Sequence, residues 1–83
     1  MHAYELRIHG LDDLSARGAA RWGLFACPEV RDLVKAAGDD SFLVLYEGDW
    51  DHPQVWCRLL ANAGFEAEPI GPVDGRAGRS RPR

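Results

Sequence analysis

Phe42-Leu43-Val44-Leu45-Tyr46 is the longest apolar run of the chain. Five residues are far too few to cross a bilayer. Their aromatic and β-branched content, closed by Gly48, predicts a strand over 41–47. A strand turns successive side chains to opposite faces. A run that is apolar on both faces therefore belongs in the middle of a sheet, and the rest of the chain must supply neighbours and a cover for it.

The other segments supply them. Residues 3–9 alternate, with Tyr4, Leu6 and Ile8 pointing one way and Glu5, Arg7 and His9 the other, which predicts a strand with one buried face. Asp12 or Asp13 then caps a helix whose apolar stripe is Leu14, Gly18 and Trp22. Pro28, suited to a first helical turn, precedes Val30, Leu33, Val34 and Ala37 at i, i+3, i+4 and i+7, and Gly38 closes a second helix. Asp51 caps a third, with Gln54 three residues on and Val55, Trp56, Leu59, Leu60 and Ala63 facing inward. Gly64 is a left-handed stop, and Phe65 folds back onto the helix end. Residues 65–70 form a last strand, placed at an edge because Pro69 has no N–H to donate.

These elements predict a small α/β (or α+β) domain over residues 1–71, ordered β-α-(α)-β-α-β. Its three-stranded sheet is expected to be parallel, in the order 1-2-3, with helices on one face. The covered face carries Tyr4, Leu6, Ile8, Phe42, Val44, Tyr46, Phe65 and Ala67. The open face carries Glu5, Arg7, His9, Leu43, Leu45, Glu66 and Glu68. Gly23-Leu24-Phe25-Ala26 is ambiguous; an extra strand near 23–26 would give a ferredoxin-like or ACT-like arrangement instead. Residues 72–83, rich in arginine, glycine and proline, are expected to be disordered.

Charge is unevenly spread. Residues 1–70 hold six basic and twelve acidic side chains, whereas residues 71–83 hold four arginines and one aspartate. The acidic body repels phosphate, so nucleic acid would bind only through Arg76, Arg79, Arg81 and Arg83 of the tail. The N-terminus lacks the basic and apolar regions of a signal peptide, and two cysteines cannot form a disulfide framework, so the expected place is the cytoplasm. No membrane association and no cofactor are expected.

Four groups of residues carry candidate chemistry. His9, Glu47, Asp49 and His52 follow strands, and in a parallel sheet ligands favour the strands' carboxyl ends, so they are candidates for a small ligand or divalent metal. Cys27 precedes Pro28 at a predicted helix N-terminus, where the dipole can activate a thiol, and is a redox candidate without a CxxC partner. Trp50, between acids, can anchor a partner or fold onto the helix after it. Leu43 and Leu45, with Arg7 at their side, make an apolar strip with a polar rim, the look of an interface. The glycine-containing loops 10–13 and 48–51 are too acidic for unaided phosphate binding, and no serine sits in a nucleophile elbow.

The first expectation is therefore a non-catalytic interaction or regulatory module. It would self-associate as a homodimer, or bind another protein, through Arg7, Leu43, Leu45 and Trp50. The alternatives are a small-ligand or divalent-metal binder, with or without enzymatic activity, at the strand ends, and a nucleic-acid binder acting through the tail.

Overall fold

The computed structural model describes residues 1–73. Its elements run β1 (His2–Ile8), α1 (Leu14–Leu24), β2 (Val30–Lys35), β3 (Ser41–Tyr46), α2 (Pro53–Asn62) and β4 (Ala67–Val73). The four strands form one sheet in the order β2-β3-β1-β4, and every pairing is antiparallel. This is a ferredoxin-like α+β domain.

The apolar run does lie inside the sheet, as β3 between β2 and β1. Tyr4, Leu6, Ile8, Phe42, Val44 and Tyr46 are all buried beneath the helices, and Phe65 and Ala67 pack against them. Trp56, Leu60 and Leu24 complete the core with no exposed surface. Burial of each such large side chain stabilises the fold by about 1.5–3 kcal/mol. Leu43 and Leu45 lie on the opposite face and are half-buried.

The predicted helix over 28–37 is instead the edge strand β2. A bulge explains its helix-like spacing. Val30 pairs with Tyr46 and Leu33 with Val44, both partners being buried under the helices, and the register shifts between Val30 and Asp32. The extra residue puts two inward positions three apart, where an unbroken strand would put them two or four apart. Residues 23–26, the other place for a fourth strand, finish α1 and turn toward β2.

The added strand reverses the sense of β3. The parallel order 1-2-3 is thereby replaced by an antiparallel sheet with β4 beside β1. Pro69 and Pro72 are tolerated because β4 is an edge. β4 also runs on to Val73, beyond the expected end of the domain at residue 71.

Local expectations fare unevenly. Asp13 caps α1, its carboxylate accepting from the Ala16 amide at 2.7 Å. The face of α1 turns the other way, however: Ala20 and Leu24 are buried, while Leu14 is 80% and Trp22 76% exposed. The close approach of the two helices dictates this, since a Cβ on Gly23 would stand 3.3 Å from that of Ala63. In α2 the cap position belongs to His52, without a side-chain bond, and not to Asp51. Gly64 adopts φ 98°, and the Phe65 amide returns to the Leu60 carbonyl at 2.8 Å, as the sequence predicts. No helix of the described residues is long and apolar enough to cross a membrane.

Candidate functional site

Antiparallel pairing separates the four residues that the sequence places on one edge. The register runs from His2 opposite Tyr46 to Arg7 opposite Ser41. His9, beyond Arg7, therefore lies at the end of the sheet where β3 begins. Glu47, Asp49 and His52, beyond Tyr46, lie at the other end. One shared His9–Glu47–Asp49–His52 site does not exist, because the carboxyl ends of β1 and β3 face opposite ways.

Each end holds its own histidine. At the far end, His52 Nε2 stands 3.0 Å from Glu29 Oε1, and the ring meets Trp56 edge-on. Gly48 makes room for that carboxylate: it has φ 127°, and a Cβ there would lie 3.0 Å from Glu29 Oε2. Glu47 is turned to Arg31 at 3.5 Å, and Asp49 is exposed.

At the near end, His9 stands between two carboxylates. Its Nδ1 is 3.4 Å from Asp40 Oδ2, and its Nε2 is 3.8 Å from Glu68 Oε2. Three elements converge to place them. His9 leaves β1, and its amide donates to the Glu66 carbonyl at 2.9 Å, which brings in the start of β4. Asp40 ends the β2–β3 turn in a left-handed conformation with φ 57°. Glu68 lies opposite Arg7 in the β1–β4 register. All three side chains are about half exposed, so the cluster is open to water.

The spacing of His9 and Asp40 suits a shared cation. Two donors at about 2.1 Å from a tetrahedral ion stand about 3.4 Å apart. Metal-bound histidines generally give their second ring N–H to a carboxylate, which fixes tautomer and orientation; Glu68 Oε2 lies on that side of the ring, at 3.8 Å and beyond hydrogen-bond distance. Among the described residues no three donors meet at one point, so a cation here would keep water in its remaining positions.

The thiols offer no second centre. Cys27 and Cys57 are both free and half-buried, and they pack against the core. Burial, and then the Glu68 carboxylate, push the Cys57 thiol above its ordinary value. Cys27 lies in the turn before β2 and not at a helix N-terminus, so the dipole invoked for its activation is absent. Trp50 is 75% exposed in the loop before α2 and does not fold onto that helix. The tail arginines Arg76, Arg79, Arg81 and Arg83 lie outside the described residues.

Sequence reasoning picked out His9 and missed both of its partners as site residues. Asp40 had a usable signal: Gly38-Asp39-Asp40 between two apolar runs is hairpin-turn chemistry, visible once residues 30–35 are read as a strand. Glu68 is read from the sequence only as one of the charged residues of the open face.

No family model and no curated protein matches the chain. Solved structures do. The N-terminal domain of a potential copper-translocating P-type ATPase from Bacillus subtilis, in its Cu(I)-loaded state, superposes with TM-score 0.71 at 14% identity, covering 89% of this chain and 92% of that one. The first domain of the human copper chaperone for SOD1, CCS, in its copper(I)-loaded form, gives 0.64 at 22%, covering 87% and 96%. A solution structure of the Atx1–Cu(I)–Ccc2a complex gives 0.64 at 16%, covering 84% and 96%. At such identities the likeness establishes the fold.

The comparison overturns the first functional expectation, a non-catalytic interaction or regulatory module self-associating, or binding another protein, through Arg7, Leu43, Leu45 and Trp50. Two of the structures that share this architecture are copper(I)-loaded domains, one of a potential copper-translocating ATPase and one of a copper chaperone.

Proposed function

We propose that the domain handles a divalent metal ion as cargo, holding it between His9 Nδ1 and Asp40 Oδ2, with the Glu68 carboxylate on the other side of the ring. The observation that carries this reading is the imidazole flanked at both nitrogens by carboxylates, at 3.4 and 3.8 Å. The shared fold of copper-loaded domains supports it.

The donor set favours Cu²⁺ or Zn²⁺ over copper(I). Soft thiolates select copper(I), and here Cys27 and Cys57 stand on separate elements. Imidazole with carboxylate suits the borderline divalent ions. Two protein donors with an otherwise open coordination shell bind weakly and exchange readily, which is what delivery of a cargo requires.

The test is an NMR titration of the full chain with Zn²⁺ and, for paramagnetic broadening, Cu²⁺. Saturable change centred on His9 and Asp40, abolished by His9→Gln and by Asp40→Asn, is expected. His2→Gln and His52→Gln should leave it in place. Change that follows His2 or His52, or none with either ion, would refute the assignment.

A further inference from the structure

A groove of about 460 Å³ runs between α1 and β2, the free edge of the sheet. This is within the range of about 300–1,000 Å³ typical of small-molecule sites. Leu14, Gly18 and Leu33 give it apolar walls, and Arg17, Arg21 and Lys35 bring three cations to it. Residues 1–73 hold only six lysines and arginines against twelve acidic side chains, and three of those six meet in this one place.

The three cations are not equally satisfied. Arg21 is taken by Asp32 at 3.4 Å. Arg17 has no carboxylate within ion-pair distance among the described residues, and its Nε is buried without an acceptor. Lys35 gives two of its three ammonium hydrogens to the Ala36 and Gly38 carbonyls, at 2.7 and 2.6 Å, and keeps one. Both lie over the ring of Phe42, Arg17 Cζ at 6.0 Å and Lys35 Nζ at 5.4 Å from its centroid. The π face attracts each cation but carries no net charge, so two like charges remain gathered against one buried ring.

The apolar side is also unsatisfied. Leu14 is 80% exposed beside the groove, and Leu33 and Val34 are half-buried. An occupant must therefore present a negative head and an apolar body. An added peptide strand fits less well, because the Leu33 amide on β2 is already held by the Asp32 carboxylate at 2.8 Å. Such side-chain capping blunts an edge strand.

We infer that this groove binds a small organic anion, a carboxylate or phosphate ester, with its head on Arg17 and Lys35 and its apolar part along Leu14 and Leu33. The groove shares no lining residue with the His9–Asp40 cluster, and the inference does not depend on the metal reading. An anion bridging Arg17 and Lys35 forms charge-assisted hydrogen bonds and relieves the repulsion between them. Its apolar part covers the surface that α1 leaves bare.

The experiment is a metal-free ¹⁵N NMR titration of the full chain with hexanoate and with phenyl phosphate; acetate and inorganic phosphate serve as head-only controls. Saturable shifts at Leu14, Gly18, Val34 and Lys35 are expected, with the apolar probes binding about tenfold tighter than their controls. Saturation by one apolar probe and not the other identifies the head as carboxylate or phosphate ester. Arg17→Gln removes the head contact. Since Arg17 also packs on Phe42, Gly18→Leu supplies a variant that spares the cations. A Cβ at Gly18 meets nothing within 4 Å, and leucine is the better helix former, so this variant fills the groove in a folded protein. It is expected to weaken binding about tenfold or more without lowering the melting temperature. The inference is overturned if no probe gives saturable shifts in the tens of millimolar. It is equally overturned if the shifts centre on Arg7, Arg58 or residues 74–83, or if Gly18→Leu binds as the parent does.

Discussion

The amide of Ile8 donates to the carbonyl of Asp40 at 2.8 Å, which ties the exit of β1 to the turn that feeds β3. That bond holds the Asp40 carboxylate beside His9. Asp40 does so in the left-handed region, φ 57°, where asparagine and aspartate are tolerated and other side chains are strained. Asp40→Asn is therefore expected to keep the stability of the parent while losing the metal response of His9. Asp40→Ala should lose the response and also about 1–2 kcal/mol of stability. Urea unfolding of the two variants measures the difference. Equal stability would mean that the turn relaxes and does not fix the carboxylate.

A glycine has the corresponding role at the opposite end. Gly48 combines φ 127° with a space that the Glu29 carboxylate fills, at 3.0 Å from where a Cβ would stand. Gly48→Ala should cost about 1–3 kcal/mol through backbone strain. It should also push Glu29 off His52. Adding Glu29→Ala removes the steric part and leaves the strain, so the double variant should recover only partly. Full recovery in chemical denaturation would show that crowding alone made the glycine necessary.

Much of the fold was legible where a segment's local signal and its tertiary role agreed. The alternation Tyr4, Leu6, Ile8 marked β1, and the two-faced run Phe42–Tyr46 marked an interior strand. Gly64 and Phe65 marked the end of α2. The failure with the widest consequences lay in residues 28–38, where the bulge at Arg31 gave a strand the spacing of a helix. Its consequences spread, because strand direction is not local information. With one strand miscounted, β3 was taken as parallel to β1, and His9 was grouped with Glu47, Asp49 and His52 at the far end. His9 was recognisable as a polar residue closing a strand. Asp40 and Glu68 reach it only through strand register, which a single sequence does not state.

Alkaline pH should destabilise the fold through Tyr4 and Tyr46. Burial first, and the Asp51 carboxylate second, raise both phenols above the ordinary value of 10.0. The folded state then holds these protons longer than the unfolded chain does. Their contribution is complete below pH 10 and declines above it, by about 1.4 kcal/mol per pH unit for each tyrosine that ionises first in the unfolded chain. Unfolding free energies across pH 8–11 should accordingly be level and then fall. In Asp51→Asn the phenols should titrate lower in the ultraviolet spectrum than in the parent. A parent whose phenols titrate at 10.0 while it remains folded would contradict the argument.

Glu68 links the His9 cluster to the second cysteine, which allows an independent check of its position. Burial raises the Cys57 thiol above 9.0, and the Glu68 carboxylate adds to the rise. Alkylation proceeds through the thiolate. Iodoacetamide should therefore modify Cys57 slowly at pH 8, its rate rising with pH and levelling off only above pH 9. In Glu68→Gln the neutral amide takes the place of the negative charge, and the rate should level off at lower pH, with the larger burial effect still present. The same variant removes the acceptor facing His9 Nε2, so it should also weaken metal binding without abolishing it, because Nδ1 and Asp40 remain. Mass-spectrometric alkylation rates on the Cys27→Ser background isolate the Cys57 signal. An unchanged pH profile in Glu68→Gln would place that carboxylate away from the thiol.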